Sequence, residues 1–236
     1  MQQQVHEGND LLSRLSTQAG IKAVGEATSL LNIYGLNRLS GFDRKFTDEV
    51  IKNAVNAPRN TSQPYKFNIE TFNSSGNGLG DITFGDVSKY DPNSNTATFP
   101  KNYYGIAAHE LGHAEQYNQS KTHYKLRNLF KASRGLTAYN PAGFLAMLSP
   151  NESTASFAAN LNLATSLPML YEEVDAGRRG ARIISNTSSF SKLGRLAKLG
   201  ALARPFVGLP SYLIMALLPY LQVQASKKAG DYKGTY

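Results

Sequence analysis

Ile106-Ala107-Ala108-His109-Glu110-Leu111-Gly112-His113-Ala114 is the stretch on which the reading of this chain turns. On a helix, residues four apart lie on one face about one turn apart. His109 and His113 can then present their imidazoles to a single zinc ion at the usual ~2.0–2.1 Å. Glu110 follows the first histidine directly, placed to take a proton from water without itself binding the metal. With only four His in 236 residues, a chance match to this pattern has an expectation on the order of a few in a thousand. The pattern therefore points to metal-assisted hydrolysis.

A catalytic zinc normally has three protein ligands and one open position. The chain has no cysteine, so disulfides, thiolate ligands and cysteine nucleophiles are excluded, and the third ligand must be His, Asp or Glu. His123 comes ten residues after His113 with no glycine turn between, and reads as a surface residue or one lying behind the ligands. Glu172-Glu173-Val174-Asp175-Ala176 offers three carboxylates in a stretch that reads as helix. Ala176 and Gly177 there are small enough to let it pack closely on the metal helix. Glu152 competes, although its place in Ser149-Pro150-Asn151-Glu152-Ser153 also suits a helix N-cap.

Upstream, apolar residues at roughly helical spacing predict a helical extension over residues 10–39. A helix capped by Thr47 follows, with Asp48 and Glu49 in its first turn, Phe46, Val50, Ile51, Ala54 and Val55 on one face, and Pro58 at its end. Tyr65, Phe67 and Ile69 alternate with polar residues as in a half-buried strand, residues 73–80 form a polar Gly-rich loop, and a tight turn at 90–95 leads into a short strand at 96–99. That strand is expected to be the edge on which an extended substrate pairs. Downstream the pattern is helical, with apolar stretches at 136–148 and 153–171. Residues 205–226 carry no charge and are flanked by Arg204 and by Lys227-Lys228. This length can span a bilayer, but Pro210, Pro219, Gly208, Gln222 and Gln224 suit a kinked, interfacial or protein-covered helix equally well.

The net charge is +8, with basic clusters at Lys121, Lys125, Arg127, Lys131 and Arg134 and again from Arg178 to Arg204. No nucleic-acid motif accompanies the charge and no aromatic residues interleave with it, so an anionic membrane is the expected partner rather than nucleic acid. The first residues lack the basic start and apolar core of a signal peptide.

The run 105–116, Lys125-Leu126-Arg127, and Leu167-Pro168-Met169-Leu170-Tyr171-Glu172-Glu173-Val174-Asp175-Ala176-Gly177-Arg178-Arg179 together resemble the YugP-type neutral zinc metallopeptidases. The resemblance covers roughly residues 41–200. It implies a mostly helical α+β, zincin-like core with a small sheet before the metal helix, joined here to a hydrophobic C-terminal helix. It also implies a zinc cofactor held by His109, His113 and Glu173, with Glu172 the near miss, Asp175 behind the ligands, and Arg178 and Arg179 anchoring the helix. Family members are membrane-associated and usually begin with a membrane-spanning helix, whereas this chain begins with a polar stretch. The expected organisation is a helical extension at 1–40, a zinc metallopeptidase domain at 41–200, and a hydrophobic helix with a basic tail at 201–236. Residues 1–40 and 201–236 are also the expected surfaces for partner subunits. The expected function is hydrolysis of a peptide or protein substrate at a membrane, with Glu110 as base and Tyr171, His123 or Tyr124 as donor to the developing oxyanion. The competing expectation is a catalytically silent zinc protein within a larger assembly.

Overall fold

A computed structural model describes residues 43–56, 67–72 and 88–229. The expected extension at 10–39, the helix-ending Pro58, the strand residues Tyr65 and Lys66 and the loop at 73–80 lie outside them. The described chain is mostly helical with one small sheet: α1 (Arg44–Asn56), β1 (Asn68–Phe72), β2 (Lys89–Asp91), β3 (Thr96–Pro100), α2 (Tyr104–Gln119), α3 (Lys121–Tyr139), α4 (Pro141–Leu148), α5 (Glu152–Ser185), α6 (Ser188–Ser191), α7 (Arg195–Ala203), a 3-10 turn (Arg204–Phe206) and α8 (Leu209–Ala229). It divides into two units. One comprises Leu31–Asn128 with Tyr171–Leu209, and the other includes Leu129–Leu170 and the segment from Pro210 onward.

In the first unit, α1 begins earlier than its sequence suggested. The Asp43 carboxylate accepts from the Phe46 backbone N–H at 3.0 Å and is the cap, while the Thr47 hydroxyl donates back to the Asp43 carbonyl at 2.8 Å inside the first turn. The periodic face of α1 buries Phe46, Val50 and Ala54, with Phe46 stacked 4.1 Å from Tyr104 at the start of α2. Such a pair adds about 0.5–1.5 kcal/mol beyond the area it buries. Val55, placed on that face by the spacing, is exposed.

The alternation around Phe67 and Ile69 holds: both pack on the core while Asn68 and Glu70 face outward. The tight turn is present at residues 92–95. The Asp91 carboxylate accepts from the Asn93 N–H and the Ser94 hydroxyl, and Asn95 takes the left-handed conformation (φ 51°) that Asn tolerates. The strand order is β1-β3-β2, with β3 parallel to β1 and antiparallel to β2. Strand β3 is thus the centre of the sheet, and the expectation that it offers an edge to substrate is corrected. Its burial agrees, since Ala97 and Phe99 are fully covered.

Glu49 ties α1 to α6 by accepting from the Ser189 N–H at 2.7 Å and its hydroxyl at 2.8 Å. Burial alone would raise this carboxyl, but the bonds from Ser189 outweigh it and lower the pKa below the ordinary value. The stabilisation therefore exists above the ordinary carboxylate pKa and disappears as pH falls through the lowered one. Glu49→Gln is expected to cost about 1 kcal/mol at pH 7, and its urea-unfolding midpoint should merge with that of the native chain in acid. A gap of equal size at both pH values would remove the charge from the explanation.

Helix α5, of 34 residues, carries Pro168 in its interior, in the part that belongs to the second unit. A proline there leaves a ladder position to repair. The hydroxyl of Ser133 on α3 accepts from the Met169 N–H and donates to the Thr165 carbonyl, bridging the ladder position next to the one that Pro168 vacates. Pro219 in α8 is served likewise, with the Asn162 amide donating to the Met215 and Ala216 carbonyls. Among the described residues, no helix is long and apolar enough to cross a membrane.

Candidate metal centre

Helix α2 is buried on almost every side, between α1, the sheet, α5 and the 3-10 turn. It can be so because its sequence is small: Gly105, Ala107, Ala108, Gly112 and Ala114 are all covered. At Gly112 an added Cβ would lie 2.2 Å from the Ala176 carbonyl oxygen of α5, and at Gly180 one would lie 2.6 Å from the Ala108 carbonyl oxygen of α2. Two helix backbones touch here. The small residues that allow this are Gly112, Ala176 and Gly180, whereas Gly177 makes room instead for the ring of Phe206.

That crossing brings the sequence-predicted ligands together. His109 Nε2 lies 3.2 Å from His113 Nε2 and 3.1 Å from Glu173 Oε2, and His113 Nε2 lies 3.6 Å from the same oxygen. Two donors each ~2.0–2.1 Å from a tetrahedral zinc sit about 3.3–3.4 Å apart, so the observed spacings bracket what one ion requires. The chemistry agrees. His109 Nδ1 is 2.8 Å from the Pro205 carbonyl oxygen, which can only accept, so Nδ1 carries the proton and a neutral His109 aims the Nε2 lone pair at the Glu173 carboxylate. A lone pair and an anionic oxygen at 3.1 Å need a cation between them, a proton or a metal. Burial opposes charge on His109, but the bond to Glu173 and the charges of Glu173 and Glu110 outweigh it and raise its pKa. Burial would raise Glu173, yet the two histidines hold its carboxyl well below the ordinary range. His109, His113 and Glu173 thus form a group able to hold a metal ion.

Glu110 is buried beside this group, near enough for its charge to act on His109, and outside the ligand set. Glu172, one residue before Glu173, turns away and accepts from the Tyr117 hydroxyl at 2.5 Å. Glu152, at the start of α5, is outside the group and pairs with Lys227 at 3.1 Å, and Asn151 supplies the cap to the Thr154 N–H. No protein-family model, curated protein or solved structure matches this chain. The centre therefore rests on its own geometry.

Asp175 organises the side behind the ligands. It accepts twice from Arg178, once from Arg179 and once from the Gln116 amide. Burial pushes its carboxyl up, but the hydrogen bonds and charge of the two arginines win and lower it to about 2. Arg179 also reaches Glu115 at 2.9 Å, joining α5 to α2 a second time. His123 is buried rather than on the surface, stacked on Tyr171 with Nε2 3.8 Å from Asp175. Burial lowers its pKa against the pull of Asp175. Tyr171 itself is largely exposed.

Two contributors escaped the sequence reading. The Pro205 carbonyl is a backbone atom, 96 residues from His109, and no side-chain pattern announces it. Gln116 had a signal, since it lies three positions beyond His113 on the same helix face.

Proposed function

We propose that this chain is a zinc-dependent peptidase whose metal is held by His109, His113 and Glu173 and whose base is Glu110. The observation that carries the reading is the meeting of those three donor groups within 4.8 Å of one another, with a buried carboxylate on the same helix and outside the set. The resemblance of residues 105–116 and 167–179 to the zinc metallopeptidases supplies the peptide as substrate. Zinc held there supplies a Lewis acid that acidifies water and polarises a carbonyl group. Glu110 accepts the proton that water gives up as it attacks the carbonyl carbon, then passes it to the leaving amine nitrogen. The Pro205 carbonyl fixes the His109 ring, and Glu173 holds negative charge between the histidines. His109 is the partly exposed member of the group, with 19 % of its side chain open to solvent, so water and substrate approach from its side.

Protein stripped with a chelator and reloaded with zinc is expected to bind one ion per chain and to cleave members of a broad peptide library, followed by mass spectrometry. Cleavage should stop when the chelator is restored. Affinity should fall as pH drops, because a proton on His109 competes with the ion, and the raised pKa makes that competition begin above the ordinary imidazole range. One bound zinc with no cleavage across the library would instead give the metal a purely structural role.

A further inference from the structure

The amide of Gln116, fully buried on α2, has every one of its atoms committed. Its nitrogen donates to the Glu172 carbonyl oxygen at 2.7 Å and to Asp175 Oδ2 at 3.1 Å. A backbone carbonyl and a carboxylate paired to two arginines are both acceptors, so both amide hydrogens point at α5. The orientation of the amide follows, and its oxygen must be the atom 2.9 Å from His113 Nδ1. An amide oxygen only accepts. Nδ1 of His113 therefore carries the proton, and the neutral ring has its lone pair on Nε2, facing His109 and Glu173.

We infer that Gln116 is a positioning residue that holds His113 in the Nδ1–H tautomer and so keeps Nε2 available to a metal ion. Without it, the alternative tautomer is open: an Nε2–H of His113 has the Nε2 lone pair of neutral His109 3.2 Å away as an acceptor, and that arrangement blocks the metal position with a proton. The chain Arg178/Arg179–Asp175–Gln116–His113 ends on Nδ1, the ring nitrogen opposite the one that faces the metal position, and each bond in it is directional. The inference deepens the metal reading given above and rests on it for its purpose, though the tautomer stands on hydrogen-bond accounting alone.

The test uses metal-free protein labelled with 15N at histidine, read by long-range proton–nitrogen correlation above the imidazole range, together with calorimetric titration by zinc chloride. Native His113 should show Nδ1 protonated. Gln116→Met keeps the bulk and removes the acceptor; His113 should shift toward Nε2–H and zinc affinity should fall about 10–100-fold. Gln116→Glu keeps an oxygen facing Nδ1 and should retain the Nδ1–H signal, while its second oxygen, set against the Glu172 carbonyl and Asp175 in place of the amide hydrogens, costs stability. A residue that only pinned α2 to α5 would lose stability in both variants without moving the tautomer. An Nε2–H signal in the native protein overturns the inference, as does Nδ1–H with native affinity in Gln116→Met. Should that variant not fold, the native spectrum and Gln116→Glu decide. An Nδ1–H signal with no zinc binding would keep the tautomer assignment and overturn the metal reading instead.

Discussion

Glu110→Gln is expected to lower peptide turnover by ~10²–10⁴-fold, the usual cost of a lost general base, while zinc content and folding stay close to those of the native chain. The side chain is buried on α2 and lies outside the group of metal donors. Glutamine has the same size and hydrogen-bonding reach, so packing is preserved and only the capacity to take a proton is removed. Turnover of the peptide library by both proteins at equal zinc occupancy is the measurement. Unchanged turnover would assign the base to another group.

The second large effect is expected at the helix crossing. Gly112→Ala adds one methyl group, which meets the Ala176 carbonyl oxygen at 2.2 Å and the Gly180 nitrogen at 3.1 Å. Both are backbone atoms of α5 and have no rotamer to escape into, so the helices must separate. Overpacking typically costs about 1–3 kcal/mol, and a rigid backbone on each side puts this site at the upper end. Because Glu173 rides on α5, separation also draws it away from the two histidines, and on the proposed reading zinc affinity should fall with stability. Gly200→Ala in α7 is the control. Nothing lies within 4 Å of a Cβ there, so a gain of up to about 1 kcal/mol is expected from helix propensity. Thermal unfolding and zinc titration of the two variants should move apart. Equal behaviour would mean the crossing is looser than its 2.2 Å contact implies.

The residues at the centre were legible because their chemistry is local. His109, Glu110 and His113 announce themselves by spacing on one helix, and Glu172 or Glu173 by being the carboxylates of a second. Residue types alone left Glu152, Glu172, Glu173 and Asp175 open and the resemblance pointed to Glu173; in the structure Glu173 meets the histidines and Glu172 meets Tyr117. Long-range order was less legible. Nothing in residues 96–99 states that β1 returns parallel on one side and β2 antiparallel on the other, so the central strand read as an edge. The Ser133 hydroxyl that meets the backbone beside Pro168 belongs to another helix, so nothing in residues 153–171 announces it. The misplaced cap of α1 is a smaller case of the same kind, since Asp43 and Thr47 are both good caps in isolation and only the backbone path decides.

The carbonyl of Pro205 has a consequence for how this protein responds to mutation. A side-chain scan across residues 204–206 never deletes that oxygen, because every amino acid brings its own. Substitutions at position 205, whose side chain is buried, would register only its packing, even though its oxygen accepts from His109 Nδ1 2.8 Å away and so orients the ring. Changes in chain length speak where substitutions stay silent. Inserting or removing one residue between α7 and the 3-10 turn shifts a different carbonyl into place or none at all, and a fragment ending at residue 200 leaves His109 without its acceptor. The smallest piece of this chain that keeps the centre whole must therefore extend past Phe206, whose ring closes over Gly177.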